Sequence, residues 1–132
     1  MSVSGGCLCG AVRFRLEPPL RDVVLCHCGM CRRHHGHVGA YTSVAHAQLA
    51  FETQRGLRWY RSSAIARRGF CAECGSTLFW ERDGAAGISV AAGTLDAPTG
   101  LGTTAQIFVA DAGDYYALDP ALPAHARGLG GE

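Results

Sequence analysis

The chain contains no lysine: all 12 of its basic residues are arginine. Codon composition produces such a bias as readily as function does, so it is not by itself a binding signal. Charge of either sign is scarce, at 17% of residues, and the formal net charge is only +1. That balance removes the electrostatic grounds for expecting nucleic acid or an anionic membrane as a partner. No apolar run approaches the roughly 20 residues that a membrane-spanning helix needs. The opening Met1-Ser2-Val3-Ser4-Gly5-Gly6 lacks the basic and apolar stretches of an export signal, which makes the cytoplasm the expected compartment. There is no repeat of fixed period, no linker between domains and no long amphipathic helical pattern. The expectation is therefore one domain over residues 1–132, with a flexible tail at 119–132, where prolines and glycines such as the Gly128–Gly131 run accumulate.

What the chain does have is glycine, 18 of them, and short runs of alternating hydrophobicity. Val12, Phe14 and Leu16 alternate with Arg13 and Arg15, the period-two pattern of a half-buried strand. Val23–Cys26, Val38–Ser43, Leu49–Glu52, Leu57–Arg61, Thr77–Glu81, Ile88–Ala92, Gln106–Ala110 and Tyr115–Leu118 read as further strands, and Ala64–Phe70 leads into the turn Cys71-Ala72-Glu73-Cys74-Gly75. Gly29–Gly36 has room for one or two helical turns. The sequence predicts an all-β fold of short strands. Trp59, Tyr60, Phe70, Phe79 and Trp80 fall in strand patterns and are expected in its core.

Seven cysteines remain to be explained. An odd number suits a complete disulfide framework poorly, and without an export signal metal binding is the better use of them. They occur as C-x-C (Cys7, Cys9), C-x-C-x-x-C (Cys26, Cys28, Cys31) and C-x-x-C (Cys71, Cys74). Four thiolates about 2.3 Å from a zinc ion lie about 3.8 Å from one another at the corners of a tetrahedron. A C-x-C pair on extended backbone points both side chains to one face, and a modest bend brings them to that separation. A C-x-x-C pair reaches it through a tight turn, and Gly75 after Cys74 supplies a backbone free to take positive φ. Spacing does not by itself fix how the seven are shared. Four suffice for a closed structural site and three for an open one. The compact trio Cys26, Cys28 and Cys31 needs only local backbone; Cys7 and Cys9 would then close on Cys71 and Cys74.

The runs Gly6-Cys7-Leu8-Cys9-Gly10-Ala11-Val12-Arg13, Cys26-His27-Cys28-Gly29-Met30-Cys31-Arg32 and Phe70-Cys71-Ala72-Glu73-Cys74-Gly75-Ser76 resemble the glutathione-dependent formaldehyde-activating enzyme family. Ala92-Gly93-Thr94-Leu95-Asp96 and Ile107-Phe108-Val109-Ala110-Asp111 resemble later blocks of the same family. The resemblance implies an Mss4-like β fold, with structural zinc on Cys7, Cys9, Cys71 and Cys74 and catalytic zinc on Cys26, Cys28 and Cys31. It also implies a carbon–sulfur lyase reaction in which glutathione adds to formaldehyde, or a related small aldehyde, to give S-hydroxymethylglutathione. One position departs from the pattern: Gln106 stands where relatives commonly carry a histidine before the Ile-Phe pair.

Three thiolates leave a zinc ion electron-rich and a poor Lewis acid, so activating a thiol suits it better than polarising a carbonyl. A thiol of pKa ~8.5 is roughly 3% ionised at pH 7, so complete ionisation gains at most about 30-fold, and positioning must supply the rest. Arg32 and Arg33 either clamp substrate carboxylates or offset the thiolate charge. His27, His34, His35 and His37 are candidates for a fourth ligand or a proton shuttle, against a plainer role as loop residues. Thr94 and Asp96 are expected to close a loop. Two non-enzymatic readings compete: a carrier for glutathione or its adduct, and a zinc-stabilised interaction module like the centromere protein V branch. The near-neutral charge weighs against chromatin or microtubule binding in the second case.

Overall fold

The computed structural model describes residues 1–129. In chain order its strands are β1 (Val3–Gly6), β2 (Val12–Leu16), β3 (Val23–Cys26), β4 (Gly39–Ala45), β5 (Leu49–Gln54), β6 (Leu57–Arg61), β7 (Ala66–Cys71), β8 (Thr77–Arg82), β9 (Gly87–Ala91) and β10 (Thr103–Ile107). A single α-helix, α1 (Gly29–His35), lies between β3 and β4 among the described residues. The protein is mainly β, as the alternating runs predict. The chain forms two compact units, one of residues 1–21 and 42–100, the other of residues 22–41 and 101–132. Strand β4 begins in the second unit and ends in the first.

In the first unit β1, β2 and β5 form an antiparallel sheet with β2 in the middle. Val12, Phe14 and Leu16 on β2 are fully buried, while Arg15 faces out. The remaining strands follow the order β4-β9-β8-β7-β6, with β6, β7, β8 and β9 joined antiparallel. Phe79 on β8 is the aromatic hub: its ring centroid lies 5.2 Å from Phe14, 5.8 Å from Phe51 and 5.9 Å from Trp59. Gly5 on β1 is required by this packing, since a β-carbon there would sit 2.7 Å from the Thr94 carbonyl oxygen and 2.9 Å from the Phe14 ring. Of the five aromatics expected in the core, only Phe79 is fully enclosed; Tyr60 is exposed, and Trp59, Phe70 and Trp80 are half-buried. Strand β6 lies at the sheet edge and has a strand neighbour, β7, on one side only among the described residues.

In the second unit β3 pairs in parallel with β10 and antiparallel with the start of β4. Val24, Ala105 and Ile107 form its core, with Cys26 and Phe108 packed against them. Strand β10 starts at Thr103, three residues before the predicted run, and stops at Ile107 because Phe108 adopts a left-handed conformation (φ 54°). Only a few per cent of non-glycine residues do this, and nothing in the local sequence announces it. The strand predicted at Tyr115–Leu118 is absent; Asp114 and Tyr115 form a turn. The tail predicted at 119–132 falls partly outside the described residues, which end at 129. Within the described part, backbone N–H groups of Gln106, Phe108, Val109 and Ala110 donate to the carbonyls of Pro123, Arg127, His125 and Ala126. Ala124 forms a parallel bridge with Gln106.

Candidate metal centres

Cys7, Cys9, Cys71 and Cys74 are brought together in the first unit, all four sulfurs within 4.8 Å of one another. Cys7 follows β1 and Cys9 lies in the turn leading to β2, so this C-x-C pair sits on a turn rather than on extended backbone. Cys71 ends β7, and Cys74 follows in a turn closed by the Gly75 N–H donating to the Cys71 carbonyl at 2.7 Å. Gly75 has φ 81°, the conformation its place in the motif predicts. The Cys7–Cys9 and Cys9–Cys71 sulfur separations are 3.7 and 3.8 Å, close to the tetrahedral edge of a zinc–thiolate site. The donor set therefore fits zinc in both softness and spacing.

The surroundings stabilise negative charge on these sulfurs. The Val12 N–H donates to Cys7 Sγ at 3.2 Å, and Ser76 Oγ lies 3.2 Å from Cys74 Sγ. Burial raises the Cys7 pKa, but the Val12 bond and the neighbouring thiols outweigh it and the net shift is downward. The Ser76 hydroxyl is the largest influence on Cys74, whose pKa falls to about 5. Cys9 moves the other way, to about 12: the Ala11 N–H lowers it, but desolvation and the neighbouring thiols prevail. Such divergence is what closely spaced thiols sharing protons produce. A divalent cation in place of those protons removes the conflict.

Cys26, Cys28 and Cys31 form the second cluster, again with all sulfurs within 4.8 Å. Cys26 is the last residue of β3, paired with Gly39 on β4 and Ile107 on β10. Cys28 is the N-cap of α1, in extended conformation, and its sulfur accepts the Cys31 N–H at 3.2 Å. Here the C-x-C pair does run through extended backbone, and the C-x-x-C pair is the first turn of a helix. Gly39 gives the cluster room, because a β-carbon there would lie 3.1 Å from Cys31 Sγ. The Cys28 pKa is held down to about 2, first by the Cys26 thiol and then by Cys31, while Cys26 is pushed strongly up by the same neighbours. Among the described residues no fourth cysteine, histidine or carboxylate joins this group. The trio thus offers three corners of a tetrahedral metal site, with soft donors that fit zinc.

The histidines of the loop are engaged elsewhere. His27 Nδ1 is 2.6 Å from the Tyr116 hydroxyl, His35 Nε2 is 2.7 Å from Tyr41, and His37 Nδ1 is 2.7 Å from Tyr115. His34 packs edge-on against His35 at 4.8 Å. Burial lowers the His27 pKa, with the nearby Gln106 side chain opposing it. Arg32 and Arg33 take part in no ion pair among the described residues, and the Arg32 Nε is buried without a hydrogen-bond partner. The Thr94 hydroxyl donates to the Ala91 carbonyl, the loop-closing role predicted for it, whereas the Asp96 carboxylate instead pairs with Arg13 on β2 at 2.7 Å.

Gln106 is 1% exposed, and its Nε2 donates to the carbonyls of Asp119 (2.7 Å) and Leu122 (3.5 Å). Its amide nitrogen thus holds the 119–122 segment, while its Oε1 is buried without a hydrogen-bond partner and the side chain lies near His27. The partners Tyr115, Tyr116 and Gly39 escape reasoning from sequence alone, because none belongs to a ligand motif; they are recognisable only by what they touch.

The model of the family described as "Glutathione-dependent formaldehyde-activating enzyme" matches residues 2–111, a stretch containing all seven cysteines. The chain belongs to this family. A crystal structure of a Rhodobacter sphaeroides protein is similar to it, with 27% sequence identity and a TM-score of 0.59 over 71% of this chain and 88% of that one. No curated protein matches the chain. Membership of the family agrees with the β-rich fold and with two cysteine clusters suited to metal. No helix among the described residues is long and apolar enough to cross a membrane.

Proposed function

We propose that the protein is a zinc-dependent carbon–sulfur lyase that adds glutathione to formaldehyde, or a related small aldehyde, to give S-hydroxymethylglutathione. The observation that carries this reading is the trio: three convergent sulfurs with no fourth protein ligand among the described residues. In this reading Cys26, Cys28 and Cys31 hold a catalytic zinc ion, and Cys7, Cys9, Cys71 and Cys74 hold a structural one. When bound at the trio, zinc supplies a site at which a substrate thiol is favoured as thiolate at neutral pH.

The protein's own residues prepare that site. The Cys31 N–H offsets charge on Cys28 Sγ, and Gly39 keeps the space behind Cys31 free. Cys26 and Cys28 are each half-buried, so the cluster is reachable from solvent. Arg32 and Arg33 follow the last sulfur directly and supply positive charge toward an anionic tripeptide. In the reaction the sulfur electron pair forms the new C–S bond, and the carbonyl π pair moves onto oxygen. That oxygen takes up the proton the thiol gave up, so no redox partner is needed. Glutathione and a small aldehyde are the partners of this reading, and the cytoplasm is its compartment.

The test has two parts. Native mass spectrometry of zinc-loaded protein is expected to count two ions in wild type and one in Cys28→Ser; an unchanged count contradicts the assignment. Glutathione titrated into protein carrying cobalt at the trio is expected to perturb the thiolate-to-cobalt band, and no perturbation removes direct thiol coordination. Adduct formation should then equilibrate faster than the spontaneous reaction over many turnovers at sub-stoichiometric protein. A shift limited to one equivalent identifies a carrier instead.

A further inference from the structure

The family match stops at residue 111, yet the segment that follows it returns to the trio. Tyr116 lies in that segment. Its hydroxyl is 2.6 Å from Nδ1 of His27, the residue between the ligand candidates Cys26 and Cys28, and the two rings stack at 5.5 Å with an interplanar angle of 19°. We propose that Tyr116 is a positioning residue for the Cys26-His27-Cys28 loop, holding the His27 ring and through it the separation of the two sulfurs. This inference rests on the reading that the trio binds a metal.

The backbone on either side of His27 is well determined, and the residue itself is the joint. Cys26 is fixed by its pairing with Gly39 and Ile107, and Cys28 by capping α1. His27 belongs to neither element; its one backbone tie is its N–H donating to the Ile107 carbonyl at 3.0 Å. Its ring must then be held through the side chain. The ring is 3% exposed, and its Nε2 is buried without a hydrogen-bond partner. Loss of the Tyr116 hydroxyl leaves the buried imidazole with only the nearby Gln106 side chain as a polar neighbour, an arrangement that favours rotation of the ring and movement of the loop.

Tyr116 is itself braced. His37 packs edge-on against its ring at 4.7 Å and Tyr115 at 4.8 Å, while Tyr115 bonds His37 Nδ1 at 2.7 Å. Beyond it, the carbonyls of Asp119 and Leu122 are held by Gln106. The hydroxyl is therefore presented to His27 by a supported ring rather than by a free side chain. Groups that orient metal ligands from behind typically change metal affinity by about 10–100-fold when removed. Tyr116 acts one step further out, so the lower end, about 10-fold, is expected.

The experiment strips zinc from the full-length protein with increasing chelator and counts the ions by native mass spectrometry. Tyr116→Phe keeps the ring and removes the hydroxyl. It is expected to release the ion that Cys28→Ser abolishes at about one-tenth of the wild-type chelator concentration, leaving the other ion as tightly held as before. Tyr115→Phe, which removes the hydroxyl that holds His37 behind Tyr116, is expected to shift the same ion's release point by less than Tyr116→Phe does and to leave the other ion at the wild-type point. In a His27→Phe background Tyr116→Phe should add nothing, because the two residues act as one unit. An unchanged release point for Tyr116→Phe, equal weakening of both ions, or an undiminished effect in the His27→Phe background overturns the proposal. If Cys28→Ser retains the wild-type zinc count, the metal reading itself fails and takes this inference with it. If the count falls but Tyr116→Phe behaves as wild type, only the positioning role is lost.

Discussion

A β-carbon on Gly56 would lie 2.7 Å from the sulfur of Cys71 and 2.9 Å from the β-carbon of Ala11. Gly56 also joins the two halves of the four-cysteine cluster through its backbone. Its N–H donates to the Ala11 carbonyl at 3.1 Å, and its carbonyl accepts the Ala72 N–H at 2.8 Å. Neither contact can give way without moving Ala11, which follows Cys9 after Gly10, or Ala72, which adjoins Cys71. Gly56→Ala is therefore expected to displace Cys71, weaken metal retention at this cluster and lower stability by about 1–3 kcal/mol, the usual cost of overpacking. Chelator release and thermal unfolding measured together test this. Wild-type behaviour in both would mean that the turn yields without disturbing the sulfur.

An acid-sensitive contribution to stability is expected from Glu81 on β8. Its two oxygens meet Arg67 Nε at 2.7 Å and His46 Nε2 at 2.8 Å. Partial burial raises its pKa, but the Arg67 and His46 interactions outweigh that and the net shift is below the ordinary 4.5. A carboxylate with a depressed folded-state pKa stabilises above its unfolded pKa, and loses that contribution as pH falls through the folded value. Arg67 and His46 are each more than a third exposed, so the contribution is about 1 kcal/mol rather than that of an enclosed pair. Glu81→Gln should lower urea-unfolding stability by that amount at pH 7 and converge with wild type below about pH 4. A difference that stays constant down to pH 3 would assign the effect to packing rather than charge.

The features legible in the sequence are those whose signal is local. The Val12-Arg13-Phe14-Arg15-Leu16 alternation predicts β2, and its three apolar residues are fully buried. Leu57–Arg61 predicts β6 with the boundaries observed. Gly75 takes positive φ where the C-x-x-C turn demands it. Each cysteine motif was also readable as a metal-type turn from its spacing, whereas the gathering of the seven into four and three was implied by the family resemblance rather than fixed by spacing. Contacts between distant segments were not legible. Phe108 ends β10 in a left-handed conformation that its residue type disfavours, and Tyr116 meets His27 across 89 positions. Tyr115-Tyr116 has the β-propensity of a strand, but the two residues lie in a turn and a bend whose side chains bond His37 and His27 instead. Tertiary context overrides propensity there.

Phe79 is the residue on which the first unit's core depends most. Its ring faces Phe14, Phe51 and Trp59, and Trp59 carries the Arg67 guanidinium 3.9 Å above its ring. Phe79→Ala removes the element common to all three ring contacts, and a loss of about 3–5 kcal/mol is expected from the cavity. Phe79→Leu keeps most of the volume and should cost less than about half as much. Chemical denaturation of the two variants separates packing volume from aromatic geometry: equal losses would mean that ring contacts, not the cavity, dominate.

Gln106→His installs the residue that the resemblance to the family leads one to expect at this position, and the structure indicates what it would disturb. The Gln106 amide nitrogen carries two hydrogens and serves the Asp119 and Leu122 carbonyls together. An imidazole has one hydrogen per nitrogen on a rigid ring and cannot serve both from the same atom. One carbonyl of the 119–122 segment then loses its donor, a change worth about 1 kcal/mol. The effect should be local, because the backbone bonds of Gln106 to Pro123 and His125 do not depend on the side chain. Amide exchange at His125, Val109 and Ala110, whose N–H groups tie this segment to the end of β10, should quicken by about 5- to 10-fold, while exchange at Phe79 and Val90 in the other unit stays at the wild-type rate. Wild-type exchange at those three amides would show that the segment is held by its backbone ladder alone. Quickening at Phe79 and Val90 as well would show a global loss of stability in place of a local one.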